Sequence, residues 1–180
     1  RIDSMLVRSY GETYRADMVG LRAGSYDMKV VPVSKGKEIE ANANEATAMV
    51  VQNYDRSGFA HLNNKGVGAY NDNGTLKSDA RVIYVTAQTA KTVTCDVKTG
   101  SKATNVTTCT GLQSIIDAYQ KGYETRPLDV RFIGLVEKDD LDAISSSSEG
   151  LQIKGKKAYS NLFITLEGIG DDATLRGFGL

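Results

Sequence analysis

The sequence predicts a mainly β protein in two parts, on three observations. Glycine is abundant and proline scarce, 18 against 2 with no tryptophan, the balance of a chain that turns often. Apolar residues recur in short segments, several in strict alternation, the period of a half-buried strand. Only one segment carries a full helical stripe. Hydrophobic residues at 41% and charged residues at 24% describe a folded chain, and 180 residues suffice for one ordinary domain or two small ones. Basic residues number 22 and acidic residues 22, so the basic excess of a nucleic-acid binder is missing. No apolar run reaches the roughly 18 residues of a membrane-spanning helix. Two cysteines exclude a disulfide-rich scaffold and a four-cysteine zinc site.

Residues 1–53 read as short strands. Tyr14 to Val19 leads into the turn Gly20-Leu21-Arg-Ala-Gly24, and Tyr26, Met28 and Val30 then alternate with Asp27 and Lys29. A polar hairpin loop follows at Lys35-Gly36-Lys37-Glu38, and the next strand is Ala46-Thr-Ala-Met-Val-Val51. The composition changes to that of a linker at Asn53-Tyr-Asp-Arg-Ser-Gly58. Turn formers crowd Gly66 to Gly74, with Asn73-Gly74 the strongest turn dipeptide. Arg81-Val-Ile-Tyr-Val-Thr86 and Thr92-Val-Thr-Cys95-Asp-Val97 are strands. The helix is expected over residues 110–121, with Thr110 as N-cap, Gln113 completing a capping box, and Gly122 as stop. Its stripe is Leu112, Ile115, Ile116 and Tyr119. Beyond it come short glycine-punctuated strands: Pro127 to Gly134, Gly150 to Gly155, Leu162 to Gly168, and Ala173 to Gly177. Short strands that cannot bury themselves alone are the mark of stacked β-coils.

Two resemblances rest on particular residues. Gly20-Leu-x-x-Gly24-x-Tyr26 followed by an alternating strand resembles the later half of a fibronectin type III module, where leucine and tyrosine form the tyrosine-corner region; Leu21 to Tyr26 is one residue shorter than usual. The block Asn161-Leu-Phe-Ile-Thr-Leu-Glu-Gly-Ile-Gly-Asp-Asp-Ala-Thr-Leu-Arg-Gly-Phe-Gly-Leu180 resembles the first coil of a pectate lyase of polysaccharide lyase family 1, in a form typical of bacterial secreted members. Gly68 to Lys77, Arg81 to Thr86, and Thr110 to Asp117 resemble the entry segment and the helix that caps the open end of that right-handed parallel β-helix. The implied architecture is therefore a partial fibronectin-like β-sandwich over residues 1–53, then the N-terminal cap helix and first coil of a parallel β-helix over residues 54–180.

The resemblance implies a secreted or cell-surface bacterial protein that cleaves polygalacturonate by β-elimination. In that family calcium bridges acidic residues and a uronate carboxylate, and an arginine removes the C5 proton. The family's calcium aspartates and catalytic arginine fall beyond Leu180, so no catalytic, substrate-binding or metal position is carried onto this chain. It is expected to be an inactive N-terminal scaffold of a calcium-dependent parent whose partner is pectin. The second reading is a non-catalytic β-helix, a carbohydrate-binding or adhesin-like surface protein. The chain opens at Arg1 and closes on Gly177-Phe178-Gly179-Leu180 in mid-element, which reads as an internal piece of a longer polypeptide with unpaired edges prone to association.

The remaining polar residues take plain readings. His61, the only histidine, is a polar loop position. Asp139, Asp140 and Asp142 lack the spacing of an EF-hand and read as a solvated turn. Asp171-Asp172 reads as a tight turn between two strands. Arg131 and Arg176 read as structural arginines whose stems lie along apolar neighbours. Ser145 to Ser148 is a polar loop without a nucleophile elbow, and Gly66-x-Gly68 has no following helix with a lysine to make a phosphate loop. Asn105-Val-Thr107 is a sequon that a bacterial source leaves silent. Cys95 and Cys109 are either bonded across neighbouring β segments or two buried free thiols.

Overall fold

The computed structural model describes residues 1–53, 68–143, 150, 151, 153 and 164–179. It is mainly β. The expected linker at 54–58, His61, Gly66, Ser145 to Ser148 and the segment at 154–163 lie outside the described residues. Among the described residues, no helix is long and apolar enough to cross a membrane.

The first part consists of antiparallel pairs. Strands β1 (Val7–Tyr10) and β2 (Thr13–Ala16) form a hairpin. Strand β3 (Gly24–Val30) pairs with β6 (Asn44–Val51), and β4 (Val33–Ser34) with β5 (Lys37–Glu38). The predicted four-residue loop is thus only two residues wide. Lys35 and Gly36 both take positive φ, 50° and 76°, the left-handed pair that matches the twist of a tight hairpin. The β3–β6 register slips between Tyr26 and Met28, where Asp27 Oδ1 accepts a hydrogen bond from the Ala48 amide at 3.0 Å. Val30 and Val50 of this pair stand 60% and 75% exposed, so its apolar residues find no opposing layer among the described residues.

The second part is built on a parallel sheet. Strands β7 (Arg81–Val85), β10 (Leu128–Glu137) and β11 (Ile164–Arg176) lie in the order β11-β10-β7, both pairings parallel. Between β7 and β10 the chain makes the antiparallel hairpin β8 (Thr94–Lys98) and β9 (Val106–Thr110), then helix α1 (Leu112–Tyr119). Alternation along β10 divides the sheet. Leu128, Val130 and Phe132 face one side with Ile83 and Val85, and join Leu112, Ile115, Ile116 and Tyr119 of α1 and Cys95 and Val97 of β8 in one core. Each such side chain contributes on the order of 1.5–3 kcal/mol by leaving water. Asp129, Arg131 and Ile133 face the other side.

Three expectations are corrected. The helix begins later than residue 110, because Thr110 is the last residue of β9, paired with Thr94. Gly111 takes the N-cap position, and the cap comes from Asp142, whose carboxylate accepts from the Gln113 amide at 2.8 Å and the Ser114 amide at 3.0 Å. A Cβ at Gly111 would lie 2.3 Å from Asp142 Cγ, so only glycine fits. Gln113 reaches forward to Asp117 at 2.9 Å instead of closing a capping box. Secondly, Ile164–Arg176 is one strand where two were expected. Its register jumps from Ile133↔Ile169 to Leu135↔Thr174, five residues against two, so a three-residue bulge carries Asp171 and Asp172 where a turn was expected. Thirdly, the Arg131 head does not reach out to water, its side chain being only 6% exposed.

Candidate functional site

The densest polar constellation lies on the second face of the parallel sheet. Parallel register sets Arg131 of β10 between Tyr84 of β7 and Glu167 of β11, and sets Asp129 between Val82 and Thr165. The extended backbone then turns Asp129 and Arg131, two residues apart, to the same side. Arg131 Nε donates to Asp129 Oδ2 at 2.8 Å and to Glu167 Oε1 at 3.2 Å. Its Nη1 reaches the Tyr84 hydroxyl at 3.4 Å, with the guanidinium 5.8 Å from that ring's centre. Its Nη2 donates to the Tyr70 hydroxyl at 3.2 Å, and Tyr70 in turn donates to Glu167.

The segment from Gly68 to Lys77 covers this network. The Ala69 amide donates to Thr165 Oγ1 at 2.8 Å, and Lys77 Nζ to the Gly68 carbonyl at 2.8 Å. Gly20 closes the remaining side, because a Cβ there would sit 3.5 Å from the Tyr70 ring and 3.7 Å from Arg131 Nη2. Asp129 is 0% exposed, Tyr70 2% and Arg131 5%, and the Glu167 side chain keeps 14%, so among the described residues the network is largely withdrawn from solvent.

The charges in the network do not balance. One guanidinium faces two carboxylates, and Asp129 Oδ1 has no hydrogen-bond partner among the described residues. Burial, and next the Glu167 charge, raise the Asp129 carboxyl to about 7 despite Arg131. A proton held there turns Asp129 into a donor toward Glu167. Burial and the hydrogen bond to Glu167 likewise push the Tyr70 phenol up, keeping it a donor. The arrangement can retain a proton and clamp three strands to the covering segment.

Elsewhere the polar residues hold the chain together. Arg8 donates to Asp172 at 2.7 Å and to Asp17 at 2.8 Å, and Arg15 to Asp171 at 2.5 Å, which straps the β1–β2 hairpin onto the β11 bulge. Gly170 suits that crossing because its φ of 85° lies in the left-handed region, and a Cβ there would also push on Arg8 Nη2, 2.4 Å away. Asp140 accepts from the Glu137 amide at 2.8 Å in a 3-10 turn with Asp139, while Asp142 belongs to the helix cap. Arg176 is exposed and pairs with Glu137 at 2.7 Å. Among the described residues, no group of three or more histidine, cysteine, aspartate or glutamate side chains is gathered to hold a metal ion. Glu124 is buried on the sheet-end turn. Burial works upward on it, yet Arg126, through side chain and backbone, and the Lys98 amide hold it at about 2. Asn105 is exposed on the β8–β9 turn. Cys95 and Cys109 are free thiols directly opposite one another.

Sequence reading missed Asp129, Tyr70, Tyr84 and Glu167. A signal for the first was present: in Leu128-Asp-Val-Arg-Phe132 the charged residues share one face of an otherwise apolar strand. Its partners come from strands 47 and 36 residues away (128 − 81, 164 − 128), and no local spacing shows them. No family model, curated protein or solved structure matches this chain.

Proposed function

We propose that this chain is the N-terminal scaffold of a secreted polysaccharide lyase that cleaves polygalacturonate by calcium-dependent β-elimination. Residues 1–53 are then the later part of a fibronectin-like module, and residues 54–180 the leading part of a right-handed parallel β-helix. The observation that carries the reading is the ladder β7, β10, β11. Successive parallel strands stack in chain order, the manner in which a β-helix advances, and α1 covers the apolar side. The fibronectin reading is supported by Tyr26, whose hydroxyl donates to the Arg22 carbonyl four residues upstream at 2.7 Å, the bond of a tyrosine corner. No step of the elimination is assigned to residues of this chain, because none of the family's catalytic or calcium positions is carried onto it.

The polar face, whose arginine and carboxylates are bonded to one another, favours, as a second reading, a non-catalytic β-helix that binds carbohydrate at a surface. The test is ultraviolet absorbance of unsaturated uronide from polygalacturonate with calcium. It is measured for the secreted polypeptide that carries these residues and for this chain by itself. The lyase reading expects product from the polypeptide, lost on chelation, and none from the chain. No product from either overturns the lyase reading, and product from the chain overturns the scaffold role.

A further inference from the structure

The β8–β9 hairpin holds the two cysteines in register, Cys95 directly opposite Cys109. Which kind of antiparallel pair they form follows from the ends of the ladder. The Gly111 amide donates to the Val93 carbonyl at 2.8 Å, and the Thr99 amide to the Asn105 carbonyl at 2.8 Å. Those are hydrogen-bonded pairs, and the type alternates, so Cys95/Cys109 is one as well. Directly opposite residues share a face. Both cysteines lie on the inner one, Cys95 buried in the core beneath α1 and Cys109 packed at its margin with partial exposure. The Cα atoms of such a pair stand about 5.5 Å apart, inside the range a disulfide spans. The Cβ atoms stand about 4.5–5.5 Å apart, whereas a relaxed disulfide prefers about 3.8 Å. Closing the bond draws the strands together, and a strained disulfide is a reducible one.

We infer that Cys95 and Cys109 form a reversible thiol–disulfide pair that locks the β8–β9 hairpin beneath α1 when a disulfide-bearing oxidant is present. The exposure sets the order of events. Cys109, the accessible thiol, attacks the oxidant as thiolate and releases one thiol, leaving a mixed disulfide. Cys95 then attacks the Cys109 sulfur and releases the second thiol. Two protein thiols are oxidised, the one oxidant disulfide is reduced to two thiols, and both thiol protons pass to them. The inference stands independently of the proposed lyase, since it uses only the hairpin.

Oxidised glutathione added to the folded chain is the test, read by intact mass and by peptide mapping after alkylation. The expected product is a monomer lighter by two hydrogens, with one linked peptide pair containing Cys95 and Cys109, returned to two alkylatable thiols by excess reduced glutathione. The Cys95→Ser variant should stop at a glutathione adduct on Cys109, and Cys109→Ser should stay unmodified. A wild-type chain that stays reduced, stops at the Cys109 adduct, or links chain to chain would overturn the inference. So would a disulfide that excess reduced glutathione leaves intact.

Discussion

Asp129 carries the sharpest consequence at the scale of a single residue. Its carboxyl sits at about 7 in the folded chain, above the ordinary 3.8, because burial and the Glu167 charge disfavour its ionised form. A raised pKa means that the folded state binds the proton more tightly than the unfolded state. The associated stability is fully present below pH 3.8 and is lost as pH rises through about 7. Glu124 works in the opposite sense, its contribution falling away only as pH drops from 4.5 toward about 2. Urea midpoints of wild type and Asp129→Asn between pH 4 and 8 check this. The wild type should lose stability relative to the variant across that window, and parallel profiles would show that Asp129 is ionised throughout.

At the scale of the element, α1 shows what was legible and what was not. Its stripe at Leu112, Ile115, Ile116 and Tyr119 was readable because apolar periodicity is a local property, and all four are buried. Its beginning was not readable, because the cap is Asp142, some thirty residues from the amides that it serves. Replacing Asp142 with alanine should cost about 0.5–2 kcal/mol in urea unfolding, the range for losing a cap; no measurable change would remove Asp142 from that role. Replacing Ile116 with alanine should cost about 2–5 kcal/mol, since its side chain is fully enclosed. A loss below about half a kcal/mol would place the stripe against solvent instead of the sheet. Strand β11 teaches the same lesson in reverse. Gly168, Gly170 and the paired aspartates look like a turn locally, but Arg8 and Arg15 from the far end of the chain hold Asp171 and Asp172 as a bulge.

For the whole molecule, the mainly β class was legible from glycine content and short alternating segments. The candidate site was not, because its members come from residues 70, 84, 129, 131 and 167, and only the parallel register and the segment that covers it bring them together. That register is also what the proposed scaffold rests on: three strands stacked in chain order, pinned on their polar face by Arg131. The most direct measurement is a double-mutant cycle on Arg131→Met and Glu167→Gln, with unfolding free energies for both single variants and the double. Side chains on facing positions of neighbouring strands couple, and those on distant elements add. The parallel ladder predicts a coupling energy of about 1–3 kcal/mol between the two positions. Additivity within about 0.5 kcal/mol would contradict the register, and with it the stacked-strand scaffold.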